Sequence, residues 1–400
     1  MFLEILVAVL LGTVCGTISG ITPGIHLNLV ALLVVSASTI IKLHPLVTGS
    51  FIIAMAITHT FLDAIPGIYL GAPDADKALS VLPGHRMLLQ GKGHAALLLT
   101  IFGSFASLLL SVVLFPVFIV LMKLIDESIA PYIGMLLIFI SWFMVLREPS
   151  WKKRLLSMFL FLAAGSIGII VLSLPMRQPL FPLLSGLFGT SLLLLSLSQK
   201  STLPKQERCS AAPVKGKIAA KAIAGATIVG FIAAFLPGFG SAQAAILAQQ
   251  TLGNIGDEGF LVLVGGINTA NMMISVATAY GIDKARNGAI VAMQEILDKI
   301  DFRAMLIFVA ASLMAAGIAT LLSIRMSRIF MSLITRVSTT KLSIGIICFI
   351  VLLAFIFDGL LGLLVLLACT SVGLAAGLLG SAKNHLMGCL LLPVILFFML

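Results

Sequence analysis

A proline-glycine break interrupts an apolar run twice in this chain, and each break follows the same stripe of small side chains. Gly12, Gly16, Gly20 and Gly24 surround the first break at Pro23, and Ala226, Gly230, Ala234 and Gly238 surround the second at Pro237. Each member of the first set lies 214 positions before its counterpart, so the chain is built from two related halves. In a membrane protein, interrupted helices at matching places in two halves are the best sequence pointer to a transport site.

The membrane setting follows from composition. The chain is 60% hydrophobic and 10% charged, with a mean hydropathy of +1.19, outside the range of soluble domains. Fourteen apolar segments, about seven per half, run roughly over 2–21, 25–42, 46–70, 95–124, 131–147, 154–174, 180–198, 218–236, 240–252, 258–281, 303–324, 342–357, 359–380 and 384–400. The expected fold is an all-α polytopic membrane protein, two inverted-topology repeats with Pro-Gly-broken helical hairpins. Segment 240–252 is too short to span, at about 1.5 Å per residue against a core of about 30 Å. It reads as one leg of a hairpin that dips into the bilayer, and 2–21 with 25–42 is either a similar pair or two full spans. Glu4 and the absence of a basic flank mark the first run as a mature segment, not a cleaved signal. Cys15, Cys348, Cys369 and Cys389 lie in apolar runs without any CxxC, so neither a disulfide framework nor a metal site is indicated. No nucleophile elbow, HExxH or phosphate loop occurs, and the chain does not read as an enzyme.

Basic residues set the expected orientation. Arg147, Lys152, Lys153 and Arg154 crowd one loop, Arg325, Arg328, Arg336 and Lys341 another, and Lys77, Arg86 and Lys92 a third. Lys200, Lys205, Arg208, Lys215 and Lys217 lie in the polar stretch 199–217. The positive-inside rule makes all four cytoplasmic, with both termini extracytoplasmic in the cell membrane. The expected organisation is membrane repeat 1 at 1–198, a flexible cytoplasmic linker at 199–217 and membrane repeat 2 at 218–400. The net charge of +10 then reflects topology and contact with anionic lipid, not nucleic acid.

Proline ends the helix before each break and is well suited to begin the next, with Thr22 and Ser241 as N-caps. A helix start presents free N–H groups and a positive dipole end, a natural anion site. Thr22, Pro23, Gly24, His26, Asn28, Pro237, Gly238, Gly240 and Ser241 are therefore expected to bind substrate. The small-residue stripe alone reads as a face for close helix packing. The third apolar segment of each half adds Thr58, His59, Thr60 and Asp63 in the first, and Asn268, Thr269 and Asn271 in the second. Ionisable groups inside a membrane segment are costly and default to function, so Asp63 is the expected coupling-ion residue for Na⁺ or H⁺. Its competing reading is a residue near a helix end, wetted by the following loop.

At these residues the chain resembles the TctA family, the large permease subunit of tripartite tricarboxylate transporters. The matching runs are Gly16…Gly20-Ile21-Thr22-Pro23-Gly24, Ile65-Pro66-Gly67…Ala78…Leu82-Pro83-Gly84-His85…Gln90-Gly91-Lys92-Gly93-His94-Ala95-Ala96-Leu97, Leu236-Pro237-Gly238-Phe239-Gly240 and Gly265-Gly266-Ile267-Asn268-Thr269-Ala270-Asn271. The shorter archaeal-type branch is the most similar. The resemblance implies secondary, ion-driven uptake of an anionic, often carboxylated solute, with a small membrane subunit and an extracytoplasmic solute-binding protein as partners. A carrier of polyprenyl or other lipid phosphates, using the same helix ends, is the alternative.

Overall fold

The computed structural model describes residues 1–22, 27, 30–31, 34–35, 38, 42–70, 81–129, 132–198, 206–207, 214–235, 240–284, 287–297, 299–334, 339–381 and 383–400. Among these residues the chain is helical and contains no strand. Eight of the described helices are long and apolar enough to cross a membrane. Helices satisfy their own backbone polar groups, which a segment in lipid must do.

The first half comprises α1 (Phe2–Ile21), α2 (Pro45–Leu62), α3 (Val81–Leu89), α4 (Gly93–Val113), α5 (Phe115–Ile129), α6 (Ile133–Leu146), α7 (Trp151–Ser173), α8 (Leu180–Leu184) and α9 (Ser191–Ser198). A π-helical turn, Pro66–Leu70, follows α2, and another, Ser185–Thr190, joins α8 to α9. The second half comprises α10 (Gly216–Phe235), α11 (Ser241–Leu252), α12 (Gly256–Ile282), α13 (Gly288–Leu297), α14 (Phe302–Ile334), α15 (Thr339–Leu378) and α16 (Gly388–Met399). The single apolar segment expected at 95–124 divides at Leu114, two residues before Pro116, whose missing N–H cannot continue the helical ladder. The expected boundary between 342–357 and 359–380 falls inside α15 as a break at Gly359, whose φ of 60° favours glycine.

The small-residue stripe is a packing surface. Gly12, Gly16 and Gly20 lie against α2, and a Cβ on Gly16 would collide with the Met55 carbonyl oxygen. In the second half Gly230 lies against α12, where a Cβ would come within 2.8 Å of that of Ala270. Only small residues let two helix backbones approach this closely. The stripe thus presses the first helix of each half onto the helix that carries the polar residues.

Helices α10 and α11 form a hairpin: the chain turns back after Phe235, and Leu252 packs against Gly225. The expected short returning leg is therefore α11. Its first residue, Ser241, lies beside Asn268 and Asn271, near the middle of α12.

The two halves are inverted. α1 packs on α2 as α10 packs on α12, and α14 packs on α2 as α4 packs on α12. The far end of α2 and its π turn reach the beginning of α4, where Tyr69 contacts Gly93. The beginning of α12 reaches the same end, where Arg86 of α3 forms two hydrogen bonds with Asp257, at 2.7 and 2.9 Å. Hence α2 and α12 run in opposite directions through the molecule.

In space the helices sort into two groups, each drawing on both halves. An inner group holds α1–α5 and α10–α14, and an outer group holds α6–α9, α15 and α16. Backbone contact between the groups is slight and includes the approach of α15 to the Pro66–Leu70 turn. Burial singles out two helices of the inner group, since α1 and α14 are buried over only 33% and 39% of their apolar stretches. The apolar stretch of α2 with its turn is 94% buried and that of α12 100%, against 39% for α7 and 28% for α15. Of the linker, Gln206 is buried, accepts from the Gly93 N–H at 3.1 Å and donates to the Leu88 carbonyl at 3.0 Å.

Candidate functional site

The polar residues of α2 and α12 meet where these two helices cross. Thr60 and Thr269 share a hydrogen bond at 3.0 Å, and the Asn268 amide donates to an Asp63 carboxylate oxygen at 3.0 Å. All four side chains are buried, and Asp63 is 2% exposed. Two residues 205 apart in sequence are therefore in direct contact across the inverted halves.

Asp63 is the C-cap of α2, in right-handed helical conformation, with its N–H bonded to the His59 carbonyl. A carboxylate at a helix C-terminus opposes the helix dipole, and a buried charge needs hydrogen-bonded compensation. Asn268 supplies one such donor from the other half. Asp63 does end a helix, as the competing sequence reading expects, yet its side chain is buried against α12.

From Asn268 the polar contacts continue to the hairpin. Its Oδ1 accepts from the Ser241 hydroxyl at 3.3 Å, and the Asn271 amide donates to Ser241 at 3.5 Å. Ser275, one turn beyond Asn271, donates to the Asn271 backbone carbonyl at 2.7 Å and to its side-chain oxygen at 3.4 Å. The N-cap of α11 is Gly240, with φ −83° and ψ 177°, and no side chain caps it. Ser241 is instead the first helical residue, its hydroxyl turned to α12. This corrects the expectation that Ser241 is the cap: the helix already begins at Ser241, so the capping position falls to Gly240.

At the first break Thr22 is the C-cap of α1. Its hydroxyl donates back to the Ile18 carbonyl at 2.7 Å, and its N–H to the same carbonyl at 3.2 Å. Thr22 therefore closes the end of α1, and the N–H groups its oxygen would accept from as an N-cap lie outside the described residues. Pro23, Gly24, His26, Asn28, Pro237 and Gly238 lie outside the described residues. His59, 4% exposed, shares a hydrogen bond of 3.0 Å with Ser19 of α1. Thr58 is fully buried against Gly16, and its hydroxyl has no partner among the described residues.

Ser19 and Ser327 were absent from the expected site, and Ser275, one of the polar residues of the third apolar segment in the second half, was not among its substrate-binding residues. Ser19 lies in the small-residue stripe between Gly16 and Gly20, so a polar residue on a packing face was its available signal. Ser275 follows Asn271 at helical spacing, on the same face. A separate buried cluster joins Ser327 of α14 to His94 of α4 at 2.7 Å and to Tyr69 at 2.8 Å. His94 falls in the run Gly91-Lys92-Gly93-His94, but nothing near Ser327 marks it in sequence.

Chemically, the crossing offers one carboxylate, two side-chain amides and several hydroxyls, next to the start of a helix. Among the described residues no group of three or more His, Cys, Asp or Glu side chains is arranged to hold a metal.

Comparison with known proteins gives two matches. Residues 6–388 match the sequence model of the tripartite tricarboxylate transporter TctA family. The chain is also 27% identical over 403 residues to an uncharacterized protein of Methanocaldococcus jannaschii, covering 98% of this chain and 99% of the relative. No solved structure matches it.

Proposed function

Since the chain belongs to the tripartite tricarboxylate transporter TctA family, we propose that it is a secondary active permease for a small organic anion such as a carboxylate, driven by Na⁺ or H⁺. As a multi-pass membrane protein of a transporter family, it needs a path for charge through an apolar interior. The observation that carries the proposal is the Asp63–Asn268 contact, which sets an intramembrane carboxylate of one half beside the hairpin start of the other. In this reading Asp63 takes the coupling cation. The α11 start, with Gly240 and Ser241, receives the anion through its free N–H groups and dipole. A cation and an anion bound a few ångströms apart in a medium of low dielectric each favour the other, which is the physical basis of coupled uptake.

In the same reading both termini lie outside the cell, and the 199–217 linker and basic loops lie in the cytoplasm. A small membrane subunit and an extracytoplasmic solute-binding protein are the proposed partners. The test uses purified protein in liposomes, with labelled citrate as probe and an imposed Na⁺ or H⁺ gradient. Uptake is expected to need one of these gradients, and Asp63→Asn is expected to bring it to the level of empty liposomes. Undiminished gradient-driven uptake in that variant removes Asp63 from the coupling role.

A further inference from the structure

We infer that Asn268 is a positioning residue through which the charge on Asp63 controls the hold on the start of α11; the inference rests on the transport reading above. An ionised carboxylate can only accept hydrogen bonds, whereas a side-chain amide has a donating and an accepting end. With Asp63 ionised, Asn268 must turn its N–H toward the carboxylate, as it does at 3.0 Å. Its oxygen is then left facing Ser241, which donates to it at 3.3 Å. Ser241 in turn takes the Asn271 N–H at 3.5 Å, so donors run in one direction along the series, ending on Asp63.

Neutralising Asp63 removes the reason for that direction. A protonated carboxyl carries an O–H that can donate, and it no longer dictates which end of the Asn268 amide faces it. If the amide reverses, its N–H faces Ser241, and the Ser241 hydroxyl loses the acceptor it had on Asn268. The links also differ in strength. A bond to an ionised group is stronger than one between neutral groups, and the two contacts at Ser241 are at the long end of hydrogen-bond range. The strong bond therefore orients Asn268, and the weak ones are those that let go. Helix α11, twelve residues long and packed back on α10 as a hairpin, is the element so released. Charge at the cation residue and mobility at the anion-binding helix start are thereby linked through one amide.

The experiment is hydrogen exchange on the full-length protein in detergent, read on peptides spanning 240–252, with peptides from α7 as an internal control. Asn268→Ala and Asp63→Asn are each expected to speed exchange at the start of α11 roughly tenfold, the scale set by losing one hydrogen bond. Asn268→Asp places two carboxylates together and is expected to do at least as much. The exchanged pair, Asp63→Asn with Asn268→Asp, restores a single carboxylate, now on α12. That carboxylate accepts both from the amide introduced at position 63 and from Ser241, so exchange is expected to return to near the wild-type rate. Ser241→Ala, a mild change, is expected to match Asn268→Ala and covers the case where the others fold poorly. Wild-type exchange in both Asn268→Ala and Ser241→Ala overturns the inference, as does an exchanged pair no slower than Asn268→Asp alone. Citrate uptake by Asp63→Asn is measured alongside. If uptake persists there, the transport role of Asp63 fails whatever the exchange shows; if uptake is lost while the exchanged pair gives no rescue, only the Asn268 inference fails.

Discussion

The inner and outer helix groups are both stitched together across the two halves, but with different stitches. In the outer group the polar contacts are compact pairs, several of them made by loop and turn residues. Thr190 and Thr370 share a hydrogen bond at 2.6 Å, His385 pairs with Glu148 at 2.9 Å, and Asp358 accepts from the Arg177 and Gln178 N–H groups at 2.5 and 3.2 Å. In the inner group the contacts form an extended run from one carboxylate through two asparagines to the start of a hairpin. Short local pairs hold structure; an extended run with long links around one charge is suited to change state. The surroundings agree, since α2 and α12 are enclosed by protein while α7 and α15 present much of their apolar surface outward. The lesson is that buried polarity by itself does not mark the site. What marks it is polarity arranged so that one charge decides the orientation of its neighbours.

This distinction can be broken by experiment. The largest effect on the protein itself is expected for Gly103→Leu in the inner group, where α4 lies directly on the α12 backbone and any Cβ meets the Val262 carbonyl. Overpacking of this kind costs about 1–3 kcal/mol or more, read as a lowered melting temperature in detergent together with lost citrate uptake. Uptake at wild-type level with an unchanged melting temperature would mean that the two helices are free to separate.

Lys383 of the outer group is expected to act in the opposite direction. Burial pushes its amine down to about 8, and it donates to Ser191 at 3.2 Å. A lysine whose folded value is depressed binds fewer protons folded than unfolded. Its cost is therefore full below pH 8 and fades as pH rises from there toward 10.5. Lys383→Met is expected to raise stability at pH 7 by at most about 3 kcal/mol, flatten the rise in stability above pH 8 and leave uptake intact. Loss of uptake in a well-folded Lys383→Met protein would give the outer group a part in transport.

A smaller effect is expected for Thr190→Val, which removes one hydroxyl from a buried pair. Interhelical hydrogen bonds of this kind in membrane proteins contribute about 0.6 kcal/mol, so the melting temperature should fall slightly and uptake should persist. The smallest is Arg86→Ala. Its pair with Asp257 joins the halves but is solvent-exposed, with 60% and 37% of the side chains accessible. Exposed ion pairs contribute about 0–1 kcal/mol, and the loss should shrink further in high salt. A large salt-independent loss of uptake in this variant would move a working part of the protein to the rim.

Much of this was legible in the chain. The 214-residue offset, the short leg at 240–252 and the polar positions on the third apolar segment of each half all have their counterparts in the structure. They were legible because each depends on local chemistry: proline removes a donor, glycine permits close approach, and polar residues are rare in apolar runs. The partners were less so. His59 meets Ser19, and Ser327 meets both His94 and Tyr69, by crossings between helices far apart in sequence.

Sequence alone determined that the chain is helical, that it suits a membrane and that it repeats, because hydropathy, proline and glycine act within a turn or two of backbone. Only the tertiary structure decided that Asp63 faces Asn268, that Asn268 faces Ser241, and that α2 and α12 are the two enclosed helices. Those outcomes depend on the depth and angle at which two inverted halves cross, and crossing geometry is set by the sum of many small contacts along both helices, with no single residue to announce it.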